Sequence, residues 1–388
     1  MLREFDIFCM TFCPNKEKCG SCSWSHIPYD KQLKQKLSDI NGSLALKKLD
    51  LRCDFIIPSP KLEHYRNRMD FAIDFQGRVG LKERGKWWRV IDGHTCFLAM
   101  DIIEDLFAQT RTWVKESDLS CWDRKANVGF LRYAVIRATT LGETMVNIIT
   151  STPKSENETL KARSILKWLA EKTNATTVLW TQNSTITDVS FGEKYEIISG
   201  QGFITEIING VQFQISPQAF FQTNPFAAQS LLETVKNFCG DLRDKALLDL
   251  YCGTGFFSVA FAKNAKRTIG VEFSNDAVAD ARINAKLNDA DIEYHDAKTE
   301  DFDWAGYKPD IVILDPPRSG MHDNALNDVL RICPNEIVYV SCNPKNFARE
   351  MVMLGEKYRV TQMLAVDMFP HTPHVELVSK LETKKPHG

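Results

Sequence analysis

Leu247-Leu248-Asp249-Leu250-Tyr251-Cys252-Gly253-Thr254-Gly255 reads as a buried strand that runs into a glycine turn and then a helix. Glycines at such a turn let the backbone approach a ligand closely. Ser258 stands where a third glycine would complete a dinucleotide motif, so the Gly-x-Gly alone is a weak signal. Its surroundings strengthen it. The next strand, Ile269-Gly270-Val271, ends in Glu272, 19 residues beyond Gly253. A carboxylate at that place accepts hydrogen bonds from both hydroxyls of a ribose. An acidic strand end beside an incomplete phosphate motif favours S-adenosylmethionine, which has a ribose and no pyrophosphate. NAD is the alternative.

Outward from that turn, helix and strand alternate from about Ser216 onward. Helices are expected at 225–239, 256–264, 275–288, 324–332 and 345–354. Strands are expected at 246–250, 268–271, 292–294, 311–314 and 337–340, with a last one near 376–381. This alternation predicts an α/β, doubly wound, Rossmann-like sheet. Upstream the pattern is mixed α+β and rich in strands, with helices at 30–50, 102–117 and 156–173. A chain of 388 residues suits two domains, divided here as 1–215 and 216–388, with helix 30–50 free to pack on the second. A hydrophobic content of 44% with 25% charged residues is that of a globular protein. No apolar run is long enough to span a membrane, and Met1-Leu2-Arg3-Glu4-Phe5-Asp6 lacks the apolar core of a signal peptide. The expected compartment is the cytoplasm. Eleven cysteines are then better read as metal ligands or a catalytic thiol than as a disulfide framework.

Two further strand ends carry chemistry. Ile337-Val338-Tyr339-Val340 runs into Ser341-Cys342-Asn343-Pro344, and Pro344 bars continuation of the strand. Cys342 therefore sits at a carboxyl strand end, the edge where open α/β sheets bind ligands. The plain alternative is a small apolar residue closing the top of a core. Asp315-Pro316-Pro317-Arg318 follows Ile311–Leu314, and its prolines stiffen the rim on which Asp315 stands. Such loops also occur in enzymes that methylate amino groups, which need no cysteine. Glu376, in Phe369-Pro370-His371-Thr372-Pro373-His374-Val375-Glu376, lies near Cys342 if the two last strands flank one sheet edge; otherwise it is a solvated carboxylate. His371 and His374 are as readily structural as functional. A thiolate with a general base suits methylation at C5 of uracil. That carbon is too poor a nucleophile until a thiolate adds at C6.

Near the N-terminus, Cys13, Cys19 and Cys22 have the spacing C-x5-C-x2-C, and Cys96 follows in Asp92-Gly93-His94-Thr95-Cys96. Four thiolates bind zinc or an iron–sulfur cluster. Zinc sites usually pair two C-x2-C units and only one is present, which favours a cluster. The spacing differs from that of radical enzymes, so its role would be structural. Net charge is −2, yet residues 61–90 hold eight Lys/Arg against four Asp/Glu, interleaved with Tyr65, Phe71, Phe75, Trp87 and Trp88. That mix suits phosphates and unstacked bases, or else the solvated face of a β-rich domain.

Taken together, the quoted motifs resemble those of the RNA uracil-5 methyltransferases, and among them the iron–sulfur-containing members that modify 23S ribosomal RNA. The resemblance spans nearly the whole chain. It implies S-adenosylmethionine as methyl donor, Cys342 as nucleophile and Glu376 as general base. Gln222, in Ile215-Ser216-Pro217-Gln218-Ala219-Phe220-Phe221-Gln222-Thr223-Asn224, and Tyr251, Glu272 and Asp315 fall on the family's cofactor contacts. Cys13, Cys19, Cys22 and Cys96 fall on its 4Fe-4S ligands. Two departures stand out. Phe256 and Ala297 replace asparagines that contact the cofactor in relatives, and Asp296 is a candidate to take over at the adenine. The small β-barrel RNA-binding domain of many relatives is also missing from the sequence. RNA binding, expected of 23S rRNA with transfer RNA as the alternative, then falls to the cluster region and to 61–90, centred on Tyr65-Arg66-Asn67-Arg68. A non-catalytic RNA-binding factor with the same fold is the reading of another class. No membrane or protein partner is implied.

Overall fold

The computed structural model describes residue 13 and residues 15–94 and 96–384. The reading of Met1–Asp6 lies outside them. The chain opens with α1 (Lys16–Cys19) and α2 (Tyr29–Leu46), then β1 (Ile56–Ile57), β2 (Arg68–Ile73), β3 (Val79–Glu83) and β4 (Lys86–Asp92). Next come α3 (Asp101–Glu116), β5 (Leu131–Ala138), β6 (Thr144–Ser151), α4 (Glu156–Thr173), β7 (Thr177–Asn183) and β8 (Lys194–Ser199). Strands β2 to β8 form a seven-stranded sheet in the order β4-β3-β2-β5-β6-β7-β8. Its turns follow from local chemistry. Asp74 Oδ1 accepts from the backbone N–H of Gln76 and Arg78 at 3.0 and 3.2 Å, and Gly77 takes φ 72°. Helices α3 and α4 bury Phe107, Trp113, Leu166 and Leu169 against one face of this sheet.

A separate hairpin of β9 (Ile204–Ile208) and β10 (Val211–Ile215) turns at Asn209-Gly210, both with positive φ, as a two-residue loop requires. The alternating half then follows: α5 (Pro225–Cys239), β11 (Ala246–Leu250), α6 (Phe256–Ala262), β12 (Arg267–Glu272), α7 (Asn275–Leu287) and β13 (Glu293–Asp296). It continues with β14 (Ile311–Leu314), α8 (Asp323–Ile332), β15 (Glu336–Ser341), α9 (Pro344–Leu354), β16 (Tyr358–Val366) and β17 (Glu376–Thr383). The sheet order is β1-β16-β17-β15-β14-β11-β12-β13, with β11 to β15 parallel and β17 antiparallel to both neighbours. Strand alternation sends Ile311, Ile313, Val338 and Val340 into the core beneath α5 to α7. Val312, Leu314, Ile337 and Tyr339 enter the opposite core with α2, α8 and α9. Both faces are covered, as a doubly wound sheet demands. Strands β1 and β16 extend the sheet beyond the expected set. Among the described residues no helix is long and apolar enough to cross a membrane.

The topology fixes where a ligand belongs. From β11 the chain passes to β12 and β13 on one side, then crosses to β14 on the other. The switch point is therefore β11/β14, and the crevice lies at the carboxyl ends of the strands.

Candidate active site

Those strand ends are the turn after Leu250, Glu272, Asp315 and Cys342. Because β17 runs antiparallel, its first residue reaches the same edge: Ser341 pairs with Leu377, and Val366 with Glu376. The nucleophile candidate and the base candidate thus share one edge by strand direction alone.

The glycine turn is built under backbone constraint. Tyr251, Gly253 and Gly255 have φ of 64°, 54° and 83°, and a positive φ at tyrosine is rare outside functional turns. A Cβ on Gly253 would meet no atom within 4 Å, so the turn opens onto free space. In contrast, a Cβ on Gly270 would lie 2.5 Å from the Tyr294 ring, which packs across β12. Glu272 Oε2 accepts from Gly253 N at 3.1 Å and Oε1 from Ser274 N at 2.9 Å. Each oxygen keeps a lone pair for a ribose hydroxyl. Asp249 is fully buried; its Oδ2 accepts from Ser258 N at 2.8 Å while Oδ1 has no protein partner. Burial pushes its pKa up to about 7. This open turn, the acidic strand end and the orphaned anionic oxygen fit a cationic ribonucleoside such as S-adenosylmethionine.

Gln222 is buried on a segment braced from the other sheet. Asn67 Nδ2 donates to Gln222 O at 3.1 Å, Asn67 N donates to Thr223 O at 3.0 Å, and the Arg137 guanidinium donates to Ala219 O. Phe256 packs its ring on Phe213, Phe221 and Phe257, so it serves the core. Ala297 is also partly buried in the core, and Asp296 is paired with Arg282 at 2.9 Å.

Around Cys342 the loops are tied together. Asn343 and Asn346 both donate through their amides to Arg318 O, at 3.1 and 2.7 Å, which fastens the Asp-Pro-Pro-Arg loop to the start of α9. Cys342 is half-buried; burial, Glu376 and Asp315 push its pKa up to about 11, while Arg318 acts in the opposite direction. Burial also raises the Asp315 carboxyl to about 7 and holds Glu376, next to Asp315, well above the usual carboxylate range. Arg318 lies 3.4 Å from His374 Nδ1, and burial lowers the pKa of His374 and of His371. Phe220 and Phe273, each 69% exposed, flank Gln222 and Glu272. Sequence reasoning assigned Arg318, Phe220 and Phe273 no role; only Arg318 carried a signal, through its place in the Asp-Pro-Pro-Arg motif.

Cys13, Cys19, Cys22 and Cys96 are free, buried thiols. After burial, the neighbouring Cys13 and Cys19 raise the Cys22 pKa, and Cys96 is in electrostatic reach of Cys19, Cys22 and Arg66. The donor set has the chemistry of a cluster site. Among the described residues, however, no group of three or more such side chains has the arrangement that holds a metal ion.

The expected centre of the RNA surface is corrected. Tyr65 is fully buried and donates to Pro370 O at 3.0 Å, Asn67 braces Gln222, and Arg68 pairs with Asp70. Tyr65 and Asn67 are struts toward the second half of the chain, and Arg68 is held within its own strand. The exposed aromatics of the 61–90 stretch are instead Phe75, 55% accessible, and Trp87, 51% accessible on β4, beside Trp88 with Lys125 at 4.4 Å from its ring.

The sequence model described as tRNA (Uracil-5-)-methyltransferase matches residues 161–384. The chain is 38% identical over 365 residues to a tRNA (uracil(54)-C(5))-methyltransferase of Pyrococcus horikoshii, covering 94% of this chain and 84% of the relative. It is 36% identical over 383 residues to an uncharacterized RNA methyltransferase of Caldanaerobacter subterraneus subsp. tengcongensis, covering 95% and 84%. Among solved structures it is similar to the Pyrococcus abyssi tRNA (uracil-54, C5)-methyltransferase in complex with S-adenosyl-L-homocysteine. The TM-score is 0.77 at 34% identity, over 93% of this chain and 85% of that one.

Proposed function

The chain belongs to the tRNA (uracil-5-)-methyltransferase family, whose members methylate C5 of uracil in RNA, and on that premise we propose that it methylates a uridine of transfer RNA, at position 54, with S-adenosylmethionine. The relatives named for their substrate act on transfer RNA. They support that alternative over the 23S rRNA expected from the cysteine motif. The observation that carries the chemistry is the meeting of Cys342, Glu376 and Asp315 at one edge of the sheet.

In this reading the Cys342 thiolate adds to C6 of the flipped uracil, and the C5=C6 electrons move into an enolate on O4. Bound donor supplies an electrophilic methyl group on sulfonium, which C5 attacks. Glu376 takes the proton from C5, the C5=C6 bond re-forms, and Cys342 leaves as thiolate. Gln222, Tyr251, Glu272 and Asp315 hold the donor. Cys13, Cys19, Cys22 and Cys96 have the thiols for a 4Fe-4S cluster but not, as placed, the arrangement of a metal site, and the reaction above uses none of them. RNA lies along the β3–β4 hairpin.

The test is covalent trapping on 5-fluorouridine RNA. The parent should form a denaturation-resistant adduct with a transfer-RNA T-arm in preference to a 23S fragment, and Cys342→Ala should form none. An adduct that survives Cys342→Ala would refute the nucleophile, and preference for the 23S fragment would refute the substrate.

A further inference from the structure

One face of α2 grips the turn that leads into Glu376. Tyr29, Gln32 and Lys36 stand at i, i+3 and i+7 and so share a face. Tyr29 OH donates to Asp367 Oδ2 at 2.8 Å and accepts from Ser59 N at 2.8 Å. Lys36 Nζ donates to Asp367 Oδ1 at 2.6 Å and to Phe369 O at 3.0 Å. Gln32 Oε1 accepts from His371 N at 2.8 Å, and Gln32 Nε2 lies 3.1 Å from His371 Nδ1. The same amide donates to Ile27 O and Trp24 O, at 2.8 and 3.2 Å, in the loop that carries the N-terminal thiols. Trp24 N donates in turn to His371 O at 3.0 Å.

Gln32, Lys36 and Asp367 are fully buried. A buried ion pair adds little net stability over a well-packed apolar pair of the same shape. What it does supply is a fixed register between the groups it joins. The turn needs fixing: His371 has φ 65°, a conformation that persists in a non-glycine residue only where surrounding contacts over-determine it. Residues 367–375 also make the whole connection between β16 and β17, which Glu376 opens. Where they sit decides how Glu376 meets a base bonded to Cys342.

We propose that Lys36 and Gln32, assisted by Tyr29, are positioning residues that hold the 367–376 turn so that Glu376 faces C5 of the methylated uracil. The proposal rests on the functional reading above. Its consequence is specific to one step. Thiolate addition and methyl transfer involve Cys342 and the donor and precede the action of Glu376. Loosening the turn therefore slows proton removal and elimination, and the covalent protein–RNA intermediate accumulates.

Single-turnover reactions on transfer RNA with tritium at uracil C5 and a radiolabelled methyl donor separate the two steps. Lys36→Met should slow tritium release about 10–100-fold while methyl incorporation stays within about threefold of the parent, because a small misplacement of a catalytic group carries a cost of that order. A denaturation-resistant adduct should then build up on ordinary uridine RNA. Lys36→Arg should restore most of the release, and Gln32→Leu should show a weaker form of the same split. Equal slowing of both steps, or no slowing of either, overturns the proposal. If Lys36→Met no longer binds S-adenosylhomocysteine as the parent does, Gln32→Leu is judged alone by the same criterion. A parent enzyme that incorporates no methyl group into transfer RNA would overturn the functional reading instead.

Discussion

At Cys342 the local field opposes the charge that the proposed nucleophilic role needs. The thiolate is the nucleophile, yet burial, Glu376 and Asp315 raise the thiol to about 11, and Arg318 is the side chain that pulls it back. Adduct formation should therefore rise steadily with pH between 6 and 9 as the thiolate fraction grows. Arg318→Met removes the cation, raises the pKa further and should slow adduct formation at pH 7.5 by about tenfold, one pKa unit's worth. The loss should shrink as pH increases. Adduct rates measured on 5-fluorouridine RNA decide it: a profile flat from pH 6 to 9, or an Arg318→Met profile that overlays the parent, sinks the argument. Cys342, Glu376 and Asp315 were legible in the sequence because each ends or begins a strand next to residues that stop one. The part played by Arg318 was not, since it depends on a fold that brings it beside a thiol 24 positions on. Phe220 and Phe273 were hidden for a different reason. An aromatic residue in a periodic segment reads as core, and nothing local says that these two face outward.

Strands bounded by glycine or proline and buried on both faces were easy to place, and Ile311–Leu314 keeps its expected limits. Strand β5 was harder to single out, because Arg132 and Arg137 interrupt its apolar run. Both are buried, and Arg132 donates to the backbone oxygens of Asn183 and Thr185 at 3.3 and 2.6 Å, so a central strand carries two charges. Strand β16 was missed because much of it is exposed and its alternation is blurred. The basic, aromatic stretch 61–90 was legible as composition only. Structure divides it into inward struts before β2 and an outward hairpin, β3–β4, that carries Trp87, Lys86 and Arg89. If RNA lies along that hairpin, Trp87→Ala should raise the KM for transfer RNA about tenfold, since a base stacked on an aromatic side chain contributes roughly 1–3 kcal/mol. Affinity for S-adenosylhomocysteine should not change. Lys125→Ala should flatten the dependence of RNA affinity on salt. Filter binding at two ionic strengths tests both, and an unaltered KM in Trp87→Ala would move the RNA surface elsewhere.

Across the whole molecule, several carboxyls are held in surroundings that disfavour their charge. Burial raises Asp249 and Asp315 to about 7, Asp280 to about 6, and Glu376 well above its ordinary value. In an unfolded chain such groups titrate near 4. Between those limits the folded protein binds more protons than the unfolded one, so stability falls as pH rises from about 4 to about 7. For the fully buried Asp249 the loss is on the order of a few kcal/mol, at roughly 1.4 kcal/mol per pKa unit. Carboxylates with the opposite shift act below that range. Asp92, held well below the usual value by its hydrogen bond to Arg111, and Asp188, held by Lys82 and Tyr133, stabilise the fold above about 4 and lose that effect in acid. The two sets leave a maximum near pH 4. The midpoint of thermal unfolding should therefore drop by several degrees between pH 5 and pH 8. Asp249→Asn, which keeps the shape and removes the charge, should flatten that drop. A cationic ligand in the crevice offsets the repulsion, so S-adenosylmethionine should raise the midpoint at pH 8 more than S-adenosylhomocysteine does, and the difference should narrow at pH 5, where the carboxyls are protonated. Equal midpoints at pH 5 and 8 in the free protein, or equal shifts by the two ligands at pH 8, would show that the crevice carries no such uncompensated charge.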